Sequence, residues 1–259
     1  MLPSAAARTS TVRLAALAAL AIAIAWSLRD VNIIGPLVTL SHWAPVIVKG
    51  FLFNLLIGAL ATLIGTVAGI VLGAAQLTSA RPVRVSAFIV TQLFRNSPWL
   101  VCIFYVMFLL PFEVRVGGAI ITIPDWVKAV IGLSLPAMGN MSEIVRGGLR
   151  SIPLTQWEAG ASLGYTRRQT IVWIIIPQAA RRMLPPWMNL YCIITMATSL
   201  ANIVGVSEVM TAAKHLLVTE NQPALLLPTY LIVMLMFFVY IYPLSRATRR
   251  LEKRWAVAG

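Results

Sequence analysis

The stretch Gln156-Trp-Glu-Ala-Gly-Ala-Ser-Leu-Gly-Tyr165, continued by Thr166-Arg-Arg-Gln169 and closed by Ile174-Ile-Ile-Pro177, interrupts a chain that is otherwise strongly apolar. It is too polar to lie in lipid, too long for a simple turn, and flanked by arginines on both sides. Its residues read as a short helix. Glu158 near the start suits the positive end of a helix. Gly164 can take the left-handed conformation that stops one. Gly160 weakens it, by about 1 kcal/mol relative to alanine. Trp157 is a large apolar anchor of the kind enriched at binding hot spots. A short helix lying flat across a membrane face acts as a rigid knob. Gln156, Trp157, Glu158, Ala159, Gly160, Leu163 and Gly164 are the residues expected to form it. The bland alternative is an amphipathic surface loop with no partner.

Around this stretch the composition is that of a membrane protein. Hydrophobic residues make up 59% of the chain, charged residues only 11%, and the mean hydropathy is +0.84. A soluble domain carries about 25% charge. The formal net charge of +13 would suit nucleic acid, but the basic residues flank apolar segments instead of forming one patch, so nucleic acid is excluded as a partner. Cys102 and Cys192 both sit in apolar runs and read as small buried hydrophobes, not a disulfide. There is no phosphate-binding Gly-x4-Gly-Lys-Ser/Thr loop and no Gly-x-Ser-x-Gly elbow. His42 and His215 are far apart and have no carboxylate at ligand-like spacing, so no metal site is expected.

The apolar runs give the spans. Residues 14–28 are apolar after a start containing Arg8 and Arg13, and an uncleaved first helix is expected there in preference to a secretory signal. Residues 29–45 read as a loop or interfacial segment. Residues 46–77 form a span with a stripe of small residues (Gly58, Ala61, Gly65, Gly69, Gly73) that lets another helix approach closely. Residues 85–111 form the third, with Arg95-Asn-Ser-Pro98 as a costly insertion in its first half. A loop at 112–126 leads to a span at 127–145, which runs into Glu143-Ile-Val-Arg-Gly-Gly148. Spans at 185–206 and 225–244 follow, and the chain ends on a basic tail. With both termini inside, most of the 21 Lys and Arg residues fall on the inner side, leaving Arg29, Lys49, Arg115, Lys128 and Lys214 outside.

Polar residues within these spans are the candidates for pathway or gating: Glu143, Arg146, Asn54, Thr198, Ser199 and Asn202. Glu143 and Arg146 are three apart and can pair on one helix, either lining a pathway or holding helices together. Arg95 is expected to reach headgroups or another helix. Of the polar groups in spans, some should face a central cavity, and most should bond between helices. Lys214 and His215 read as solvated, or as touching a receptor protein.

The spacing in the opening stretch resembles the signature loop of ABC importer permeases, Glu-Ala-Ala-x3-Gly-x9-Ile-x-Leu-Pro. Glu158, Ala159, Gly164, Ile174 and Pro177 match, while Gly160 replaces the second alanine and Ile176 the leucine. The likeness runs from about Lys49 to Trp255 and is to the polar amino-acid branch (histidine, glutamine and arginine type). Lys49-Gly-x3-Asn54, Arg95-Asn-Ser-Pro98, Glu143 to Gly148, Ser151-Ile-Pro153, Pro177-Gln-Ala179, Pro185, Asn189 and Leu251-Glu-Lys-Arg-Trp255 carry it. One departure is Met196-Ala-Thr-Ser-Leu200, where the family often has Lys-Asp-Thr-Ser-Leu.

The resemblance implies an all-α polytopic transmembrane helical bundle of about six spans: a five-span type I importer core plus one N-terminal helix, with a short cytoplasmic coupling helix. It divides the chain into an N-terminal helix and periplasmic linker (1–45), a transmembrane domain (46–255) and a tail (256–259). It further implies a permease subunit of an ATP-driven importer, taking polar amino acids from a periplasmic-type binding protein. Such a chain is not an enzyme and holds no cofactor, since ATP and Mg belong to a partner ATPase. The implied partners are that ATP-binding subunit, a second permease chain (identical or homologous), the extracytoplasmic substrate-binding protein and membrane lipids. The implied location is the bacterial inner membrane, multi-pass, with the C-terminus cytoplasmic. Two alternatives are an ion-driven secondary transporter, which commonly shows inverted repeats, and an integral membrane enzyme, which needs clustered His, Asp or Glu. Neither feature is visible in the sequence.

Overall fold

The computed structural model describes residues 34–116 and 119–256. It opens on α1 (Ile34–Ala75), a single helix of 42 residues. At 1.5 Å per residue this is about 63 Å, roughly twice the hydrocarbon thickness of a bilayer. Residues 34–45, expected as loop or interfacial segment, are therefore helical, and Pro45 lies inside the helix. Pro36 is in the first turn, where its missing N–H costs no internal bond. The expected N-terminal helix at 14–28 lies outside the described residues.

The expected third span is two helices, α2 (Arg81–Arg95) and α3 (Trp99–Leu109), bent by 104°. The insertion at 95–98 makes the elbow between them. Pro98 has no N–H and restricts the residue before it, which ends α2. Side chains bond carbonyls of the last turn of α2. Asn96 Nδ2 donates to the Gln92 carbonyl at 2.8 Å, and Ser97 Oγ to that of Leu93 at 2.6 Å. The expected loop at 112–126 also holds a hairpin. Strands β1 (Glu113–Val116) and β2 (Ala119–Thr122) pair antiparallel, with Glu113 opposite Thr122. Their Val and Ile residues suit a strand.

The centre of the bundle is α4 (Asp125–Arg150). Gly65, Gly69 and Gly73 of the small-residue stripe of α1 pack on it, while Gly58 meets Thr195 and Thr198 instead. A Cβ at Gly65 would lie 2.6 Å from Ala137 Cβ, and one at Gly69 2.5 Å from Met141 Cβ. On other faces, Gly132 meets the Ile103 backbone of α3, and Gly139 that of Arg95. The core around α4 includes Ile57, Ala61, Ile103, Leu133, Ala137 and Ile194. Because other helices shield it, α4 can carry Ser142, Glu143 and Arg146 without exposing them to lipid.

After α4 come α5 (Leu154–Ser162), a short turn Arg167–Gln169 and a π-helical turn Thr170–Ile175. Then follow α6 (Ile176–Ala197) and a 3-10 segment Thr198–Val204. Pro177 has no N–H for the carbonyl four residues back. The turn ahead of it is widened, with the Ile176 N–H bonded to the Ile171 carbonyl. The fifth span thus starts before 185, and Pro185 and Pro186 lie within α6. The expected outer loop beyond it contains α7 (Val209–Glu220), and α8 (Leu226–Ala256) closes the described chain.

Three helical stretches are long and apolar enough to cross a membrane: Gly35–Ala75, Arg167–Val204 and Pro223–Trp255. The bent pair α2–α3 can make a fourth. The 26 residues of α4 give it the length without the hydropathy, as its enclosed position permits.

Candidate functional site

Helix α5 is ended by its own residues. Its C-terminus is a Schellman cap: Gly164 has φ of +75°, the Gly164 N–H bonds the Ala161 carbonyl at 3.0 Å, and the Tyr165 N–H bonds that of Gly160 at 3.1 Å. Immediately beyond, Thr166 and Gln169 form a reciprocal capping box that starts the next helical turn. Tyr165 packs edge-on to Trp173 at 5.5 Å.

The inner face of α5 is clamped to the foot of α6. Trp157 and Ile174 pack against Ile152, Ile175 and Ala179. Gln178 Nε2 donates to Gln156 Oε1 at 3.1 Å, and Arg182 to the Ser151 carbonyl at 2.6 Å. Gly160 is buried, and a Cβ there would meet both Oγ1 and Cγ2 of Thr170 at 2.7 Å. The outer face is open. Leu154 and Leu163 are 71% and 69% exposed, and Glu158 and Ala159 are exposed beside them. A groove of about 460 Å³ runs along this end, bounded by Leu154, Trp157, Ala161, Tyr165, Arg167 and Thr170.

The seven residues expected to make the knob therefore divide. Glu158, Ala159 and Leu163 lie on the open face, while Gln156, Trp157 and Gly160 anchor the helix to its own chain. Gly164 terminates it. Thr170, Gln178 and Arg182, which hold α5 in place, carry no signal of that role in the sequence. They lie on the element that follows, and only the folded loop brings them back.

At the end of α4, Arg146 forks onto Glu143, with Nε to Oε1 at 3.1 Å and the second nitrogen on Oε2. Arg95 joins the same carboxylate at 3.5 Å, so it reaches another helix. The cluster borders a cavity of about 600 Å³ that also meets Asn140, Arg182 and Asn189. Beside it is a buried triad that sequence reading missed. Gln76 Nε2 donates to Thr91 Oγ1 at 2.9 Å and Ser142 Oγ at 2.7 Å, and the two hydroxyls are 3.0 Å apart. It ties the turn that follows α1 to α2 and α4.

At the opposite end, Asn54 is fully buried. Its Nδ2 donates to Thr198 Oγ1 at 3.0 Å and to Glu208 Oε2 at 2.8 Å, while its Oδ1 accepts from the Val209 N–H at 3.0 Å. Glu208 also caps α7, accepting from the N–H groups of Met210 and Thr211. Asn202 donates to Thr211 and accepts from Lys214. Among the described residues, the Ser199 hydroxyl bonds within its own turn, at the Met196 carbonyl. Asn54, Thr198 and Asn202 are thus fasteners between α1, the end of the fifth span and α7. Lys214 and His215 are both exposed, as expected of solvated residues; Lys214 also bonds Asn202, and His215 packs edge-on to Trp43 at 5.3 Å. Among the described residues there is no cluster of three or more His, Cys, Asp or Glu that could hold a metal ion.

Residues 65–257 match the family described as binding-protein-dependent transport system inner membrane component. A probable glutamine ABC transporter permease protein of Bacillus subtilis is 31% identical over 205 residues, spanning 79% of this chain and 91% of the relative. The glutamine transport system permease protein of Escherichia coli K12 is 30% identical over 213 residues, spanning 82% and 94%. An L-cystine transport system permease protein of Bacillus subtilis is 28% identical over 218 residues, spanning 84% and 89%. Among solved structures, an amino acid ABC transporter crystallised with histidines shares the fold at a TM-score of 0.72 and 22% identity, over 84% of this chain and 97% of that one. The inward-facing MetNI methionine ABC transporter aligns at a TM-score of 0.63 and 14% identity, over 80% and 96%.

Proposed function

The chain belongs to the family of binding-protein-dependent transport system inner membrane components and is a multi-pass permease subunit of an amino-acid ABC transporter; from that premise we propose that it imports polar amino acids and that α5 docks a separate ATP-binding subunit. The observation that carries the docking proposal is the two-sided character of α5. Its inner face is locked to α6 and to the end of α4, while its outer face offers Leu154, Glu158, Ala159 and Leu163. A helix held this way moves as a unit with the spans behind it.

The α5 end of the bundle is the cytoplasmic one. Arg81, Arg84, Arg150, Arg167, Arg168 and Arg181 gather there, in accord with the positive-inside rule. The C-terminus is cytoplasmic on the same ground. ATP and Mg bind the partner ATPase, a second permease chain completes the pathway, and an extracytoplasmic binding protein delivers substrate at the α7 end. Closure of the ATPases draws the docking helices together, and Arg182 and the Glu143 cluster pass that displacement to α4 and α2. Alternation between inward- and outward-facing states needs ligands that bind those states unequally.

The test is co-purification and uptake. Glu158→Lys should still insert in the membrane, lose the ATPase on gentle detergent extraction, and fail in ATP-coupled uptake of labelled glutamine, arginine, histidine and cystine by proteoliposomes. Normal ATP-coupled uptake by that variant would remove α5 from the docking role. A wild-type complex that takes up none of these amino acids would refute the substrate class.

A further inference from the structure

We propose that the apolar run Leu14 to Leu28 folds back beside α1 and seats its leucine face in a groove between α1 and α8. The groove measures about 540 Å³ and is lined by Phe51 of α1 and by Ile232, Leu235, Met236, Val239 and Tyr240 of α8. Phe51 lies at its base, 8% exposed, packed edge-on against Phe237 at 5.1 Å and Tyr240 at 6.2 Å. Leu235 and Val239 stand open on the α8 side, 45% and 67% exposed. Among the described residues the lining carries no charge, and the Tyr240 hydroxyl is already bonded to that of Tyr191 at 2.6 Å. The groove calls for aliphatic side chains and offers nothing to a headgroup or a polar solute.

Residues 14–28 lie outside the described residues, but their sequence has the matching pattern. The run contains no charged residue. Wound at about 3.6 residues per turn, it puts Leu14, Leu17, Leu20, Ile24 and Leu28 on one face. Ala15, Ala19, Ala23 and Ser27 fall on the opposite side. A helix surrounded by lipid needs no such sorting of large from small side chains, whereas one that fills a groove in a bundle does.

The tether fixes where the run can go. The described chain starts at Ile34, the head of α1, and Leu40 of that head shares a buried cluster with Leu225, next to the head of α8. Residues 29–33 span at most about 17 Å, so Leu28 must lie near both heads. From there a helix over 14–28 runs back about 22 Å. Along α8, the distance from Leu226 to Tyr240 is about 21 Å. Antiparallel to α8, Leu14 comes level with Tyr240, and the residues from Leu17 to Ile24 pass the groove. Arg8 and Arg13 then point toward the α5 end, with the other inner arginines, as the positive-inside rule requires.

The test is cross-linking in membranes that hold the full chain in its complex. Cys102 and Cys192 are replaced by alanine. Ala21→Cys, on the leucine face, is paired in turn with Leu235→Cys and with Val239→Cys; the two partners lie one turn apart and so cover a shift in register. Phe108→Cys on α3, a position 77% exposed, is the control partner. Oxidation with copper phenanthroline, read by gel and peptide mass spectrometry, gives the rate of each disulfide. One groove pair should close within a single chain at least about tenfold faster than the control, as tethered neighbours do. Leu17→Asn with Ile24→Asn should bring that rate down to the control, because the groove would receive amides with no partner. Unchanged closure in that variant would overturn the leucine-face seating. Groove pairs no faster than the control, in a chain that retains residues 14–28, would overturn the proposal and leave the groove to lipid. Disulfides between two chains would assign the groove to a second copy and overturn it as well. So would a mature chain that begins beyond residue 28.

Discussion

Gly160→Ala pits two effects against each other, and the structure decides which wins. The family's signature has alanine at this position, and in an isolated helix the change is worth about 1 kcal/mol in favour of alanine. In this chain the new methyl would sit 2.7 Å from both Oγ1 and Cγ2 of Thr170 and 3.2 Å from its Cβ. Threonine fills two of the three staggered positions on its Cβ, and here both face Gly160. No χ1 rotation vacates both, and any rotation gives up the Thr170 Oγ1 bond to the Thr166 carbonyl at 3.2 Å. Overpacking of this kind costs about 1–3 kcal/mol. The expected net effect is a loss of up to about 2 kcal/mol in the stability with which α5 is seated, or up to about thirtyfold in the local opening constant. Amide hydrogen exchange over residues 154–163 in the purified chain reads that constant. Thr170→Ala in the same chain should rescue it, leaving the double variant at least as protected as wild type, with a coupling energy of about 1–3 kcal/mol. Slower exchange in Gly160→Ala alone, unchanged by Thr170→Ala, would show that propensity dominates and that the Gly160–Thr170 contact is not restrictive.

Three other outcomes follow from the same geometry. Gly164→Ala forces a side chain into a φ of +75° and should cost about 1–2 kcal/mol, seen as about a tenfold or greater rise in exchange at the C-terminal turn of α5, with Gly164→Asn milder. Asn54→Leu removes both donors and the acceptor that bind Thr198, Glu208 and the Val209 N–H, leaving buried polar groups unmet at about 1–3 kcal/mol each; the purified chain should melt several degrees lower or fail to accumulate. Arg95→Gln should cost no more than about 1 kcal/mol, because its side chain is 43% exposed and Glu143 keeps Arg146; a large drop in thermal stability would show that the elbow depends on that ion pair.

The features legible in sequence were those set by local chemistry. Gly164 stops α5 because left-handed backbone is a property of glycine itself. The four-residue steps from Ala61 through Gly65 and Gly69 to Gly73 announce a close helix contact, and α4 is the helix that Gly65, Gly69 and Gly73 meet. Apolar length placed most of the spans, and the arrangement of arginines gave the orientation proposed for them. Errors fell where a local signal was overruled. Pro45 and Pro185 read as boundaries, yet both lie inside helices. The bend of 104° that Arg95 to Pro98 introduces was not read from the insertion there.

Sequence by itself determined that the chain is a membrane bundle interrupted by a short capped helix, because hydropathy, proline, glycine and charge act on their immediate neighbours. Tertiary structure alone decided which way each polar residue faces. Trp157 turns inward because Ile152, Ile175 and Ala179 offer it an apolar seat. Asn54 meets Glu208 across 154 positions, and Gln76 meets Ser142 across 66. Such pairings depend on helices brought together from distant parts of the chain, and a polar side chain in a span has no local feature that names its partner.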